Sequence, residues 1–206
     1  MGRSGTVPQP TAYDDLRIRI THLVESMERA PVVGISGHGG AGKSTLATRL
    51  MADLGGQPEQ VVRMDRFYAV DAGPGSGLFD LHDWPALFDL LNRLRVAPNP
   101  SRLVYPVRTY DGAQRTCDEP MPPVVIVEGI RLLRPETMPL LDLAVWIDLS
   151  PELAGRRAVE RNRSQGDASP ELALWHTKWI PEAHAYVQST NPHRLAHVVI
   201  GHAGTA

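Results

Sequence analysis

From Tyr13 to Arg29, apolar residues recur at helical spacing. Leu16, Ile20, Leu23, Val24 and Met27 share one face, which predicts a first amphipathic helix. The pattern then changes to a short β-branched run, Pro31 to Ser36 (PVVGIS), which reads as a buried strand ending at a glycine cluster. Beyond the cluster, Ser44 to Leu54 carries Leu46 and Leu50 on one face and stops at Gly55-Gly56, the signature of a helix. Four further apolar runs have the buried-strand look: Val61 to Met64, Val124 to Val127, Leu143 to Leu149 and Ala196 to Ile200. Five strands separated by helical segments predict an α/β fold, a three-layer sandwich around a mostly parallel sheet that gathers ligands outside the strands' carboxyl ends.

No internal repeat or separating linker interrupts this alternation. Residues 13–206 are therefore expected to form one domain behind a flexible tail, residues 1–12. Asp71 to Gly77 and Ala97 to Ser101 are Gly/Pro-rich loops and candidate mobile segments. From Pro170 to Gln188 a helix is expected with an interruption near Pro181, and Trp175, Trp179 and Tyr186 on it read first as core or helix contacts, with substrate stacking as the alternative. His176 and His184 on the same helix lack the i, i+4 spacing of a metal pair.

Composition narrows the function classes. A net charge of −2 across 206 residues leaves no basic footprint for nucleic acid or an anionic membrane. No apolar run approaches the roughly 20 residues that span a bilayer, and the first ten residues lack a signal peptide's apolar core. The single cysteine, Cys117, cannot form an intrachain disulfide, which suits a reducing compartment. A cytoplasmic protein is expected, without nucleic-acid or membrane partners, and a homo-oligomer is left open.

The chemistry concentrates in GHGGAGKST, Gly37 to Thr45, which satisfies two phosphate-binding fingerprints at once. Gly37, Gly39 and Gly42 spell the dinucleotide pattern G-x-G-x-x-G, while Gly37, Gly42, Lys43 and Ser44 spell the P-loop. Asp65, about 20 residues on, also fits the ribose-binding acid of a dinucleotide site. Lys43 and Ser44 discriminate between the two, because a nucleoside triphosphate needs a cation for its β and γ phosphates and a hydroxyl for Mg²⁺. Gly37, Gly39, Gly40, Ala41, Gly42, Lys43, Ser44 and Thr45 are thus the candidate nucleotide-binding residues, and Mg²⁺ with ATP or GTP the expected cofactor set.

Other parts of a phosphoryl-transfer site follow. In VVIVEGI, Val124 to Ile130, a buried strand delivers Glu128 at its carboxyl end, a candidate Mg²⁺ acid. Asp148 immediately precedes Ser150-Pro151-Glu152, which reads as a helix cap, so Asp148 is assigned to structure. The capped helix carries Arg156, Arg157, Arg161 and Arg163 and runs into a flexible stretch. It reads as a lid over about 151–169 that brings positive charge as the site closes, with Arg157 and Arg161 as catalytic candidates. The base-reading N-K-x-D of a GTPase is absent, which favours transfer to a small acceptor. Asp65 in MDRFY stands where it can orient an acceptor hydroxyl, take its proton and join the metal ligands.

GISGHGGAGKST, MDRFY, FDLHDWPALFDLL, TYDGAQR, VVIVEGI and the arginine-bearing helix occur in an order that resembles the uridine kinase and phosphoribulokinase group of P-loop kinases, from Val32 to Ile200. The resemblance implies that Lys43 and Ser44 bind phosphates and Mg²⁺, that Asp65 activates the acceptor, and that Glu128 assists at the metal. It further implies that Tyr68 and Tyr110 contact the substrate and that Asp80 in FDLHD holds ribose hydroxyls. Uridine or cytidine is then the first candidate acceptor. Uridine kinases follow their Tyr-Asp with a base-reading histidine, whereas this chain has Gly112-Ala113-Gln114-Arg115 after Asp111. Gln114 or Arg115 could therefore read another base, or bind the anionic group of a sugar phosphate or a carboxylate. His202 falls where related kinases close a loop over adenine.

Overall fold

A computed structural model describes residues 13–96, 100–166 and 169–201. The tail 1–12, residues 97–99 of the second Gly/Pro-rich loop, and His202 lie outside the described residues. In chain order the elements are α1 (Tyr13–Ser26), β1 (Val32–Gly37), α2 (Lys43–Asp53), β2 (Val62–Arg63), α3 (Trp84–Leu94), β3 (Arg102–Arg108) and β4 (Gln114–Pro120). They continue with β5 (Val125–Gly129), β6 (Leu143–Asp148), α4 (Pro151–Ser164), α5 (Ser169–Leu174), α6 (Ile180–Thr190), α7 (Pro192–Leu195) and β7 (Val198–Gly201).

Five strands form one parallel sheet in the order β2-β5-β1-β6-β7. All five coincide with the apolar runs, because strands buried on both faces read as continuous β-branched stretches. Side-chain alternation sends them to two cores. Val32, Val125 and Val127 pack with Leu87, Leu90 and Leu91 of α3 on one face. Val33, Ile35 and Ile126 pack with Leu46 and Leu50 of α2 and with Leu16 and Ile20 of α1 on the other. Leu16 is fully buried, and truncating such a side chain to alanine costs about 2–5 kcal/mol.

Asp142 anchors the amino edge of the sheet. It accepts two bonds from Arg29, at 2.7 and 2.8 Å, and a third from the amide of Val32 at 2.7 Å. Burial raises the proton affinity of this carboxyl, but the bonds from Arg29 and Val32 outweigh it and hold the group below its ordinary value.

The hairpin β3-β4 is a second, two-stranded sheet that the apolar runs did not announce. Leu103, Tyr105 and Val107 alternate inward along β3, but Pro106 stands between them and β4 is mostly polar, so no continuous apolar run marks either strand. Ser150 caps α4 as expected, accepting from the amide of Leu153 at 3.3 Å. The expected interruption near Pro181 takes the form of a wide π-helical turn, Trp175–Trp179, between α5 and α6. Pro181 follows directly in a helix that continues through the turn, and the wide turn, in which the Ile180 amide bonds to the carbonyl of Trp175, accommodates a residue that lacks an N–H. No helix among the described residues is long and apolar enough to cross a membrane.

Candidate active site

Phosphate-binding glycines lie between β1 and α2. Gly40 (φ +87°) and Gly42 (φ +96°) take the left-handed conformation that turns the loop back onto the helix. At Gly40 the helix α4 also comes close: a Cβ there would stand 2.2 Å from the carbonyl oxygen of Ala154. Ala41 turns away from the loop's concave side and joins the hydrophobic core.

A cavity of about 460 Å³ opens above this loop, at the carboxyl ends of β1 and β5. Lys43, Ser44, Asp65, Glu128, Arg157 and Arg161 all line it. Their convergence follows from the sheet. Parallel pairing sets Ile35 beside Glu128, while Arg63 pairs with Glu128 from the other side, so the ends of β1, β2 and β5 are flush. The chain leaves β2 into a single 3-10 turn, Met64–Arg66, which holds Asp65 exposed at the cavity. Ser44 Oγ donates to Glu128 Oε1 at 2.8 Å, and Lys43 Nζ donates to the carbonyl of His38 in the loop at 2.9 Å.

Burial dominates the electrostatics. It pushes the Glu128 carboxyl above its ordinary range, although Lys43, the bond from Ser44 and Arg63 pull the other way. It also pushes the Lys43 ammonium down, against the attraction of Glu128 and Asp65. Burial thus opposes each charge, and the other's presence favours it. His38, buried next to Lys43, is pushed down to about 4 and is neutral at ordinary pH.

Ser44, Glu128 and Asp65 offer only oxygen atoms, a donor set that fits Mg²⁺ shared with phosphates and water. Among the described residues no cluster of three or more His, Cys, Asp or Glu could hold a metal by itself. A metal entering together with a polyphosphate is the arrangement these ligands suit.

Of the four arginines of α4, Arg157 and Arg161, one turn apart, face the cavity, whereas Arg163 pairs with Glu160 at 3.1 Å. Tyr68 lines the cavity and stacks on His82, with ring centroids 5.5 Å apart. Tyr110 does not line it but meets the Tyr68 ring edge-on at 5.2 Å. Asp80 is exposed on the turn before α3, its amide bonded to the carbonyl of Gly77, and is not among the lining residues. Arg115 is on β4 and opens onto a neighbouring cavity that shares Tyr68 with the first.

Three further residues contribute to the cavity, and of these only Arg131 went unread in the sequence. Trp175 and Trp179, assigned above to core or helix contacts, line the cavity from the π-helical turn. A Cβ at Gly39 would lie 2.7 Å from the Trp175 ring, so this indole rests on the loop itself. Arg131, three residues beyond Glu128, is buried with a left-handed backbone (φ 60°). It donates to the carbonyl of Leu78 and to Glu182 of α6 at 2.5 Å, while lining the same cavity. A non-glycine residue in this conformation, over-determined by its partners, is typical of functional sites. The one available signal was its place directly after the EGI of β5.

No protein-family model matches the chain. It is 25% identical over 194 residues to a uridine kinase of Limosilactobacillus reuteri, covering 88% of this chain and 87% of that protein. It is 23% identical over 173 residues to a phosphoribulokinase of Synechocystis, covering 81% of this chain and 52% of the relative. Among solved structures, a candidate fructose transport system kinase from a Silicibacter species superposes with a TM-score of 0.69 at 21% identity, covering 89% of this chain and 98% of the other. A candidate uridine kinase from Bacillus stearothermophilus superposes with a TM-score of 0.56 at 22% identity, covering 90% and 99%. The chain therefore has the three-layer α/β fold of the P-loop kinases, and its resemblance to the uridine kinase and phosphoribulokinase group is shared with curated relatives over most of its length.

Proposed function

We propose that the protein is a kinase that moves the γ-phosphoryl group of ATP or GTP onto a hydroxyl of a small-molecule acceptor. One observation carries the reading: Lys43, Ser44, Asp65, Glu128, Arg157 and Arg161, drawn from four separate segments, line a single cavity above the phosphate-binding loop. In this reading the loop amides and Lys43 hold the β and γ phosphates. Asp65 accepts the proton of the acceptor hydroxyl as its oxygen bonds to the γ phosphorus, and the bond to the β,γ-bridging oxygen breaks to release nucleoside diphosphate. Ser44, Glu128 and Asp65 would hold Mg²⁺, which would supply neutralisation of the phosphate charge. Arg157 and Arg161 balance the remaining charge as α4 closes as a lid, and Trp175 and Trp179 keep water out of the closed site.

Residues 13–206 work as one kinase domain in this account, in the cytoplasm. Uridine or cytidine, held along Tyr68 and Tyr110, is the acceptor that the sequence motifs put first. Similarity to the candidate fructose transport system kinase favours a second reading, a sugar or sugar-phosphate acceptor. The test is incubation with Mg²⁺ and ATP or GTP against nucleosides, pantothenate, sugars and sugar phosphates, with identification of the phosphorylated product. Tight binding of Mg²⁺-nucleotide with no product from any acceptor class would instead point to a nucleotide-binding regulator.

A further inference from the structure

The second cavity, about 350 Å³, lies on the far side of Tyr68, between the start of α3 and the hairpin. Three arginines line it: Arg66 from the turn that carries Asp65, Arg108 from β3 and Arg115 from β4. Among the described residues none of the three is ion-paired with a carboxylate. Arg66 donates to the Tyr105 hydroxyl at 2.9 Å and to the carbonyl of Glu59 at 3.3 Å. With the Gln114 amide turned to satisfy both groups, Arg108 donates to its side-chain oxygen at 2.8 and 2.9 Å. Among the described residues Asp83 is the one carboxylate that lines the cavity; it accepts from the Ala86 amide at 3.0 Å and caps α3.

The position of Arg115 in the hairpin makes this arrangement informative. Directly opposed residues of an antiparallel pair share a face, and Arg115 pairs with buried Val107 just as Cys117 pairs with buried Tyr105. Arg115 therefore stands on the hairpin's inner face, where the pattern calls for an apolar residue. There it lines one cavity with Arg66 and Arg108. Three planar donor forks around one cavity suit phosphate or carboxylate oxygens.

We propose that this cavity receives the anionic end of the acceptor, a phosphate or carboxylate group, while the acceptor hydroxyl reaches past Tyr68 to Asp65. The inference rests on the kinase reading above and chooses between its acceptors: an acidic metabolite takes the place of uridine or cytidine. Arg66 ties the two functions together, because it follows Asp65 directly in the chain. The reaction that supplies the acceptor must accordingly be one that leaves a free hydroxyl on an already phosphorylated or carboxylated small molecule.

Two measurements separate this inference from the reading beneath it. In the first, the loop cavity is filled with Mg²⁺ and a non-hydrolysable ATP analogue, and inorganic phosphate or acetate is titrated by calorimetry. Saturable binding is expected, weakened about 10- to 100-fold by Arg115→Gln, the worth of a charged hydrogen bond. Arg115 is exposed, so the substitution leaves the fold intact, as thermal unfolding checks. Absence of saturable binding, or binding unaffected by Arg115→Gln and Arg108→Gln, overturns the proposal whatever the transfer activity. In the second, transfer is measured with matched neutral and anionic acceptors: a pentose and its terminal phosphate ester, a ketohexose and its terminal phosphate ester, pantothenol and pantothenate. Phosphorylation confined to anionic members supports the proposal, and the preferred pair distinguishes phosphate from carboxylate. In that case Arg115→Gln raises the acceptor KM and leaves the ATP KM unmoved. Equal use of neutral members overturns it. Anion binding that persists without transfer to any acceptor overturns the kinase reading and leaves the anion site standing.

Discussion

Ser44 Oγ and Glu128 Oε1 are 2.8 Å apart, a bond that joins the first turn of α2 to the end of β5 across 84 residues of sequence. It brings a hydroxyl and a buried carboxylate, two hard oxygen ligands, to one point above the phosphate-binding loop. Glu128→Gln keeps the shape and most of the hydrogen bonding but removes the charge that stabilises buried Lys43. Transfer is expected to fall by about 10²-fold or more, comparable to the loss of one preorganised electrostatic contact, with the Mg²⁺ requirement shifted to higher concentration. Steady-state rates across a Mg²⁺ titration check this; an unchanged Mg²⁺ dependence contradicts the ligand role.

Gly40 meets two constraints at once, a φ of +87° and the carbonyl of Ala154 pressed against the place a Cβ would occupy. Gly40→Ala should therefore destabilise the fold by on the order of 1–3 kcal/mol and displace α4 from the loop. Denaturant unfolding measures the first effect. A parallel loss of nucleotide affinity measures the second, because Arg157 and Arg161 ride on α4.

Arg131 and Glu182 form a largely enclosed ion pair that ties the exit of β5 to α6, with Lys178 Nζ a further 3.4 Å from Glu182. Removing one partner leaves a buried charge uncompensated, so Glu182→Ala is expected to cost about 3–5 kcal/mol. The double variant Arg131→Met, Glu182→Leu should recover much of that stability while losing activity, since Arg131 also faces the cavity. Thermal unfolding and transfer rate, measured on both variants, separate the two roles.

Acid should weaken the fold through two histidines. Burial lowers both His38 and His82 from 6.5 to about 4, and neither ring nitrogen of His82 has a hydrogen-bond partner among the described residues. The unfolded chain takes up protons below pH 6.5 that the folded chain refuses until about pH 4, so stability falls as pH drops through that interval. The loss is on the order of 1–2 kcal/mol per histidine at pH 5. Urea midpoints at pH 7 and pH 5 test it, and His82→Gln should flatten the difference; a midpoint that is the same at both pH values contradicts it.

Much of this was legible in the chain. Five β-branched runs became the five strands of the sheet because a strand buried on both faces must be apolar throughout, and Ser150-Pro151-Glu152 starts α4 because capping chemistry is local. The hairpin was hidden, since one of its faces is solvent-exposed and Pro106 interrupts an alternation carried by only three residues. The tryptophans were ambiguous for a related reason. Spacing identifies the face that Trp175 and Trp179 share, but only the tertiary fold shows that this face covers a cavity as well as packing on a helix. Arg131 offers no pattern at all. Its buried position depends on Leu78 and Glu182, which lie about 50 residues away on either side.

The central claim is that Asp65, at the end of β2, drives transfer from a nucleotide held by Lys43 and Ser44. The most direct measurement follows radiolabelled γ-phosphate from ATP into an identified product, comparing the parent chain with Asp65→Asn and measuring nucleotide affinity for both. The account predicts a phosphorylated acceptor from the parent, unchanged nucleotide affinity in the variant, and a transfer rate lower by about 10²-fold or more, the usual worth of a positioned general base. Transfer by Asp65→Asn at close to the parent rate would contradict it.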